Sequence, residues 1–320
     1  MDSYRVLSTT APGFPHLHPD QIKQLEGKPW PRKYVFADLD FPFMMFDQVG
    51  HPELGLHTHE DFSELVVVHH GRGIHITEVG EYPISAGDVF FVTGELAHGY
   101  RDVDDLWVLD VVYDTSFMLR GMQDISRVPG YFALFHLEPR YRRQHWFESR
   151  LHLPPDRLDQ LLDMLEDVSS TVRLKAPGYE FRTRLQFLEV VCFLCEQYAN
   201  SPNPATRSLI LMDDIIHFIE SNYAEPITLQ ELTQRAGMAE RTLHLLFNEA
   251  TGVSPIEYLI RTRVARASDM LRTTRLTITE IAFRSGFQDS NYFARQFKRI
   301  TGMTASDYRR RYTRESVMPA

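Results

Sequence analysis

Apolar side chains recur in two matching blocks in the last third of the chain, between Ile227 and Tyr308. Each block has the pattern of a helix with apolar residues three to four apart, a glycine turn and a second amphipathic helix. The blocks are offset by 49 residues up to the glycine and by 50 beyond it. The matching positions are Leu229, Leu232, Ala236, Gly237, Thr251, Gly252 and Tyr258, then Ile278, Ile281, Ser285, Gly286, Thr301, Gly302 and Tyr308. The pattern predicts a duplicated helix-turn-helix.

The pattern between residues 34 and 113 differs, because short apolar or alternating runs are separated there by Gly, Asp and Glu. This spacing is typical of a small antiparallel β-barrel or sandwich. The runs are Tyr34–Ala37, Glu64–His69, Gly73–Glu78, Asp88–Val92 and Trp107–Tyr113. We therefore predict an α+β fold of two domains, in which an N-terminal β-barrel with a following helical pair precedes an all-α domain.

Two amphipathic stripes occupy residues 156–199, ahead of a polar, proline-rich stretch. The first contains Leu158, Leu161, Leu162, Leu165 and Val168, and the second contains Phe181, Leu185, Leu188, Val191 and Leu194. Either both stripes pack on the barrel or they join two copies of the chain, and the broad leucine-rich first stripe favours a homodimer. The predicted domains are an N-terminal arm (1–33), the β domain (34–155), the helical dimerisation region (156–199), a linker (200–208) and the all-α domain (209–320).

Charge is unevenly distributed along the chain. Residues 1–205 contain 18 Lys and Arg against 30 Asp and Glu, and residues 206–320 contain 16 against 13, within a net charge of −9. Between 261 and 314 there are 13 basic and 4 acidic residues, which indicates a polyanionic partner for the C-terminal half alone. The sequence has neither a basic leader with an apolar run nor an apolar stretch of about 18 residues, so we expect a cytoplasmic protein without a membrane partner.

A hydrophobic content of 43% supports well-formed cores. The two cysteines, Cys192 and Cys195, lie within an apolar run and have no partner cysteines elsewhere in the sequence. We expect buried thiols rather than a redox or zinc pair.

The second helix of each block carries polar side chains suited to reading DNA. A recognition helix must fit the major groove and present side chains that reach base edges and phosphates. The outward residues are Arg241, Thr242, His244 and Asn248 in the first block, and Ser290, Asn291, Arg295, Lys298 and Arg299 in the second. On a single helix such charges would more often only solvate the surface, but the duplication favours DNA recognition. Two such helices would read adjacent major-groove segments of double-stranded DNA, about 34–36 Å apart.

Residues 209–312 resemble the DNA-binding domain of the AraC/XylS family of transcription regulators. The resemblance rests on Ile281-Ala282, Gly286-Phe287, the run from Asp289 to Phe293, Phe297-Lys298, Thr301-Gly302 and Tyr308. Ala305 replaces the usual proline, which the first block keeps as Pro255, and we expect this change to affect only a helix start. Leu245 stands where sugar regulators of the family often carry a base-reading arginine, so their operator sequence does not transfer. Family members form an antiparallel dimer contact through helices equivalent to 156–199, which implies a homodimer.

Histidines and a carboxylate converge in the predicted barrel. His57 and His59 alternate along one strand and face the same side, Glu64 follows a turn, and His98 comes from a neighbouring strand. Three imidazoles and a carboxylate can hold a metal ion, yet the same groups can hydrogen-bond sugar hydroxyls. We favour a sugar-binding pocket over a metal site at these four residues, and over purely structural histidines.

The spacing of this constellation resembles the paired motifs of the cupin family. Thr93 and Glu95 stand where the second motif usually has proline and glycine, although its histidine is kept. In chains that combine a cupin with a doubled helix-turn-helix, the barrel usually binds a small effector.

A wider resemblance links the β domain to the sensor domain of the L-rhamnose catabolism activators. It rests on His57-Thr58-His59, Asp61 to Glu64, His70-Gly71, Gly73 to His75, Tyr82 to Ile84, His98 to Tyr100 and the run from Asp105 to Tyr113. The resemblance implies a deoxyhexose effector such as L-rhamnose, and an activator of sugar catabolism genes that is not an enzyme and uses no cofactor. The effector residues we expect are His57, His59, Glu64, His75, His98 and Tyr100.

Two other functions stay open at this point: a cupin metalloenzyme, such as a sugar isomerase or dioxygenase, tethered to DNA, and a regulator without an effector. Glu280 and Asp289 are acidic residues in the basic half of the chain. Capping or solvation of helices is the favoured role for both. If exposed beside a promoter, they would contact the sigma factor of RNA polymerase.

Overall fold

The computed structural model describes residues 28–36, 40–94, 96–120, 122, 125, 127–141 and 149–315. Within them the chain forms two compact units that divide between Ile210 and Leu211. The first is built on a sheet and the second on helices, which confirms the predicted α+β fold. Residues 1–27, most of the predicted N-terminal arm, lie outside the described residues.

The sheet of the first unit has eight strands among the residues described. They are β1 (Pro29–Trp30), β2 (Phe43–Gln48), β3 (Leu54–His59), β4 (Ser63–Thr77), β5 (Glu81–Ser85), β6 (Asp88–Val92), β7 (His98–Tyr113) and β8 (Leu151–His152). The long strands β4 and β7 pair antiparallel, from Ser63 opposite Tyr113 to Thr77 opposite His98. β2 and β3 pair with β7, and β5 and β6 pair with β4, so these two strands organise the sheet.

Strand β4 is buried on both faces along its first half. Leu65, Val66, Val67 and Val68 have no exposed surface. Val66 and Val68 join the barrel core, which also contains Tyr82, Ile84, Phe90, Val92, Tyr100, Leu106 and Val108. Burial of both faces explains why this strand reads as a continuous apolar run rather than an alternating one.

A glycine allows β4 to continue past an irregular stretch in its pairing with β7. The register shifts between Val68 and Ile74, and Gly71 lies within this stretch at φ +69°. A Cβ on Gly71 would lie 1.8 Å from the carbonyl oxygen of Asp105, so no other residue fits. The two runs predicted over Glu64–His69 and Gly73–Glu78 are therefore parts of one strand.

The strand predicted over Tyr34–Ala37 is wrong, because Arg32–Val35 form a short helix, α1. Val35 and the following Phe36 are both buried. Two adjacent apolar residues fit the end of a helix as well as a strand, and so short a run has no period that separates the two. The predicted runs also miss β2 and β5.

Helices follow the last long strand. They are α2 (Thr115–Met118), a π-helical turn (Ala133–Leu137), α3 (Glu138–Tyr141), α4 (Pro155–Leu174) and α5 (Tyr179–Ala199). No helix in the described ranges is long and apolar enough to cross a membrane.

The buried face of α5 matches only part of the predicted stripe, of which Val191 and Leu194 are buried. Phe187 and Val190 are buried, whereas Phe181 and Leu185 are 64% and 45% exposed. Cys195 is buried as predicted, but Cys192 is exposed, so the prediction of two buried thiols is wrong for Cys192. The helix is apolar around much of its circumference, so more than one stripe fits its sequence and periodicity alone does not select the packed face.

Helix α6 (Pro204–Asn222) extends from the first unit into the second, which also contains α7 (Leu229–Ala236), α8 (Glu240–Thr251), α9 (Pro255–Thr273), α10 (Ile278–Arg284), α11 (Ser290–Thr301) and α12 (Ala305–Glu315). Helix α6 begins inside the stretch predicted as a linker, at Pro204, and the division between the units falls within it. Val264 and Leu271 of α9 pack with Phe293 and Phe297 of α11 in one core. Helix α12 begins at Ala305 as expected.

The two helix-turn-helix blocks share their turn glycines but not their surroundings. Gly237 and Gly286 both have positive φ, at +62° and +90°. A Cβ on Gly237 would meet nothing within 4 Å, whereas a Cβ on Gly286 would lie 2.5 Å from the carbonyl oxygen of Tyr223. Backbone conformation alone requires glycine in the first block, and close backbone approach adds to it in the second.

Candidate functional site

The barrel interior gathers all six predicted effector residues. The exposed fractions of these six are at most 6%. The His98 ring is central, with ring centroids 4.4 Å from His57, 5.0 Å from His59, 5.6 Å from His75 and 6.0 Å from Tyr100. Four strands contribute, because β3, β4 and β7 carry these residues and β6 adds the ring of Phe90, 4.6 Å from His75. The sequence-predicted residues therefore form one cluster.

Three polar atoms at its centre form a nearly equilateral triangle. The Nε2 atoms of His59 and His98 lie 3.2 Å apart. Glu64 Oε2 lies 3.6 Å from the first nitrogen and 3.4 Å from the second. This oxygen is buried and makes no hydrogen bond to any described residue. A buried carboxylate oxygen without a hydrogen bond is costly, so the arrangement calls for a compensating group.

His57 completes the polar centre and is held from two sides. Its Nδ1 lies 3.1 Å from the carbonyl oxygen of Gly55, and its ring stacks on Trp30 at 4.3 Å between centroids. Donation by Nδ1–H to this carbonyl leaves the lone pair of Nε2 available for a ligand. The nearest ligating atoms of His57, His59 and His98 all lie within 4.8 Å of one another.

Burial controls the protonation of the cluster. Removal from water lowers the pKa of His57 to about 4 and places the pKa of His59 well below its ordinary value. Burial, with the nearby Asp110 as a second cause, raises the pKa of Glu64 well above its ordinary value. The imidazoles of His57 and His59 are therefore neutral at pH 7 and offer lone pairs rather than charge.

Two residues at the site were missed by the sequence reasoning. Trp30 is buried and pairs through β1 with β3 in parallel, opposite His59. The His51 ring lies 4.4 Å from Tyr100, and burial lowers the pKa of His51 to about 4. Neither lies in a motif, although a lone tryptophan between Pro29 and Pro31 is a signal of an anchored segment.

A cavity of about 760 Å³ opens beside this cluster, next to β1. Its lining includes Arg32, His59, Phe62 and Asp114, with Arg32 Nη1 2.6 Å from Asp114 Oδ2. The rings of His59 and Phe62, which both line this cavity, stack with their centroids 4.4 Å apart. The volume falls within the usual range for small-molecule sites.

The predicted DNA-reading residues lie on α8 and α11. Seven of the nine are exposed, and His244 and Ser290 are half-buried. Helix α8 presents Arg241, Thr242, His244 and Asn248, and α11 presents Ser290, Asn291, Arg295, Lys298 and Arg299. Each helix has 12 residues and buries its apolar face, with Leu243 and Phe247 in α8 and Phe293 and Phe297 in α11. Polar residues on the opposite face are therefore available to a partner.

Three of the predicted site residues have hydrogen-bond partners within the second unit. Arg299 Nη2 donates to both carboxylate oxygens of Glu257 on α9. Asp289 caps α11 by accepting from the backbone N–H of Tyr292. Glu280 forms a capping box with Thr277 at the start of α10. The favoured capping role of both acidic residues is thus present in the structure.

Two protein-family models match the chain. Residues 232–311 match a helix-turn-helix domain, and residues 48–181 match an AraC-like ligand-binding domain. The chain is 32% identical over 254 residues to the HTH-type transcriptional activator RhaR of Shigella dysenteriae serotype 1 (strain Sd197), covering 79% of this chain and 86% of that protein. The protein of the same name from Escherichia coli (strain K12) gives the same identity and coverage.

Among solved structures, the crystal structure of the DNA-binding domain of AdpA in complex with a target DNA is 27% identical. It covers 34% of this chain and 97% of that chain, with a TM-score of 0.33. Because the resemblance to the RhaR activators extends over most of both sequences and both domain models match, the chain belongs to the AraC family of transcriptional regulators.

Proposed function

We propose that this protein is a transcription activator that binds promoter DNA through α8 and α11 and responds to a small sugar bound in the barrel. The observation that carries the proposal is the combination of a closed cluster of imidazole, carboxylate and aromatic groups with two exposed polar helices on one chain. Its relatives are named transcriptional activators, which supports activation rather than repression.

The sugar we propose is a deoxyhexose such as L-rhamnose, held by His57, His59, Glu64, His75, His98 and Tyr100. Imidazole and carboxylate groups hydrogen-bond hydroxyls, and the rings of Phe90 and Tyr100 offer apolar faces to the C–H side of a sugar. A deoxyhexose carries both hydroxyl groups and a methyl group, so it suits a cluster that contains both polar and aromatic side chains.

A thermal-shift screen of monosaccharides on the full-length chain tests this part. L-Rhamnose should raise the unfolding temperature of the wild type and leave that of His75→Ala unchanged. His70→Ala is the matched control, because His70 is partly exposed and contacts Asp105 rather than the cluster. If no monosaccharide shifts the wild type, the sugar-binding proposal fails.

DNA binding is proposed to use the nine residues named above on α8 and α11, one helix in each of two successive major grooves. Gel-shift titration against random-sequence libraries should enrich a bipartite site with two elements about one helical turn apart. Enrichment of a single short element would mean that only one helix reads bases.

We further propose that the protein acts as a homodimer. Phe181, Leu185 and Cys192 are exposed and share a face of α5, because they lie four and seven residues apart. Exposed large apolar residues aligned on one helix are typical of an interface. Two copies would present four reading helices to a pair of half-sites.

Activation is proposed to use Glu280 and Asp289 as contacts for the sigma factor. Both are exposed, and their caps use Oε2 of Glu280 and Oδ1 of Asp289. Glu280→Gln and Asp289→Asn keep a capping oxygen and remove the charge. Each should leave DNA binding intact and reduce transcription in a purified system; unchanged transcription in both would exclude this contact.

We propose that the barrel carries out no reaction on its ligand. The competing function, a metalloenzyme tethered to DNA, makes an opposite prediction for the same protein. Incubation of the purified chain with the sugar found in the thermal-shift screen, with and without added Mn²⁺ or Zn²⁺, should return it unchanged by NMR. Turnover would establish the enzyme instead.

A further inference from the structure

A second cavity lies between the outer face of the barrel wall and helix α5. Its volume is about 170 Å³. The sheet contributes Phe91 and Tyr113 to its lining, and α5 contributes Phe187 and Val191. The other lining residues are Ser63, Thr93, Thr115, Leu119, Tyr131, Phe135 and His136. None of these residues has a part in the sugar-binding or DNA-binding proposals.

The sheet separates this cavity from the polar cluster inside the barrel. Successive side chains of a strand point to opposite faces. The Phe90 ring lies 4.6 Å from that of His75 in the interior, so its neighbour Phe91 points outward. Likewise Glu64 belongs to the polar cluster, and the adjacent Ser63 lines the outer cavity. A ligand in this cavity therefore does not touch the residues proposed to hold the sugar.

Five aromatic rings form most of the cavity wall. The ring centroids of Phe91 and Phe135 lie 4.0 Å apart, and those of Tyr131 and Phe135 lie 4.8 Å apart. On the other side, Tyr113 and Phe187 lie 4.7 Å apart. Aromatic rings attract one another in offset and edge-to-face arrangements beyond the gain from buried area. The wall therefore favours an aromatic ligand over an aliphatic one of the same size.

The exposed edge of the cavity is polar. Ser63 Oγ lies 2.9 Å from Thr115 Oγ1, and the exposed His136 lines the same cavity. None of the eleven lining residues in the described part of the chain is Lys, Arg, Asp or Glu. Burial raises the pKa of Tyr113 and raises that of Tyr131 to about 12, so both phenols are neutral at pH 7. A charged ligand would lose hydration here without gaining a partner of opposite charge, which favours an uncharged one.

We propose that this cavity binds one uncharged, single-ring aromatic molecule that carries a hydroxyl group and has about the size of phenol. An apolar protein cavity of about 150 Å³ is large enough to bind benzene. The ring would pack among the five aromatic side chains, and the hydroxyl would form a hydrogen bond at the edge, with Ser63 or Thr115. This site is additional to the sugar site and does not depend on it.

A ligand in this position would strengthen the packing of α5 on the sheet. Phe187 and Val191 lie four residues apart and share the face of α5 that lines the cavity. Arg184 of the same helix donates through Nη2 to the carbonyl oxygens of Phe117 and Arg120, at 3.1 and 3.2 Å, and so holds the end of α2 at the cavity. Because the ligand adds contacts to both walls of a folded site, it should raise the unfolding temperature.

The test is a titration of the full-length protein with 4-fluorophenol, followed by ¹⁹F NMR. We expect saturable binding of one equivalent with a dissociation constant of about 1 mM or lower. Val191→Phe adds a ring inside the cavity and should weaken binding by more than about tenfold, because the ring occupies the space of the ligand. Leu119→Phe adds a ring at a half-buried position and replaces the first variant if Val191→Phe does not fold.

Three controls make the test specific. Val49→Phe makes the same substitution at an exposed valine and should bind 4-fluorophenol like the wild type. His75→Ala should also bind it like the wild type while losing the thermal shift with L-rhamnose, so the two ligand proposals succeed or fail separately. Cyclohexanol has the size of phenol without its aromatic ring, and it should bind several-fold more weakly.

Three results would overturn the proposal. The first is a wild type that shows no saturable binding up to the solubility limit of 4-fluorophenol. The second is unchanged binding in both Val191→Phe and Leu119→Phe, and the third is displacement of 4-fluorophenol by L-rhamnose, which would place the phenol in the sugar site. Equal affinities for phenol and cyclohexanol would contradict the aromatic class of the ligand.

Discussion

Arg299 on α11 donates hydrogen bonds through Nη2 to both carboxylate oxygens of Glu257 on α9, at 3.0 and 2.8 Å. Its Nε donates to Gln296 at 2.7 Å. Glu257 also accepts from Arg261 at 3.0 Å. This small network joins α11 to α9.

We predict that the second unit loses stability as the pH falls, because of the Glu257 carboxyl. Hydrogen bonding from Arg299, followed by that from Arg261, lowers its pKa in the folded state. A lowered folded pKa gives stability that is present above the ordinary pKa of 4.5 and is lost as pH falls through the folded value. Because both arginines are about half exposed and the Glu257 side chain is only partly buried, solvent screens the pair, and Glu257→Gln should cost only about 0.5 kcal/mol at pH 7.

This difference should be smaller at pH 3 than at pH 7, because the wild-type carboxyl begins to be protonated as the pH falls towards its lowered pKa. Chemical unfolding of the full chain at both pH values measures it, with Asp214→Asn on the exposed face of α6 as the control. A deficit of the Glu257→Gln variant that is equal at both pH values would contradict an ionic origin. An Arg299→Gln double-mutant cycle isolates the pair.

We expect the proposed DNA-contacting residues of α11 to differ in their effects. Some should determine which DNA sequence is bound, and others should contribute affinity for any DNA. Asn291 and Arg295 lie four residues apart and are both exposed, so both face one groove. Alanine at either should cost about 1–3 kcal/mol on the selected site and much less on unrelated DNA. Lys298→Ala should weaken binding to all sequences and reduce the salt slope by about one.

Fluorescence titration at several salt concentrations distinguishes the classes. Arg157→Ala on α4, which removes an exposed positive charge from the first unit, is the matched control and should change neither quantity. If Asn291→Ala and Arg295→Ala each lose the same affinity on specific and on unrelated DNA, both residues contact phosphates rather than bases.

The two turn glycines should respond differently to alanine. Gly237→Ala forces a side chain into positive φ in open space and should cost about 1 kcal/mol. Gly286→Ala adds a Cβ 2.5 Å from Tyr223 O and 2.8 Å from the Cα of Ala224, so its cost should be at least twice as large. Unfolding free energies of the paired variants measure the difference, and equal costs would show that the backbone at Gly286 moves freely.

The exposed stripe of α5 should control self-association. Leu185→Glu places a charge at its centre and should shift the chain from dimer to monomer in sedimentation velocity. Leu174→Glu is the control, because Leu174 is exposed but lies at the end of α4. A Leu185→Glu variant that sediments like wild type would remove α5 from the interface.

The sequence predicted most reliably the features that depend on local patterns. The duplicated block places Leu232 and Ile281 in buried positions and Gly237 and Gly286 in the turns, because a helical period and a required positive φ are visible in the chain. The motif spacing likewise predicted that His57, His59, Glu64 and His98 meet in the barrel, and the wider family resemblance added His75 and Tyr100. The α5 face was not predictable, since apolar residues on several sides leave the choice to tertiary packing.

The contributions of Trp30 and His51 to the site could not be predicted from the sequence, for a different reason. Both reach the site through pairings distant in sequence, Trp30 by its parallel register with β3 and His51 by the bond from its N–H to the Leu106 carbonyl. A linear pattern contains no record of such pairings. The sequence likewise did not indicate how closely the polar atoms of His59, Glu64 and His98 approach, at 3.2 to 3.6 Å from one another.

Strand β1 spans only two residues, yet it places an indole ring against a histidine at the centre of the barrel. Besides its pairing with β3, the carbonyl of Trp30 accepts from the N–H of Glu60 at 3.0 Å. So brief an attachment can detach without disturbing the long strands, and doing so uncovers a large aromatic surface.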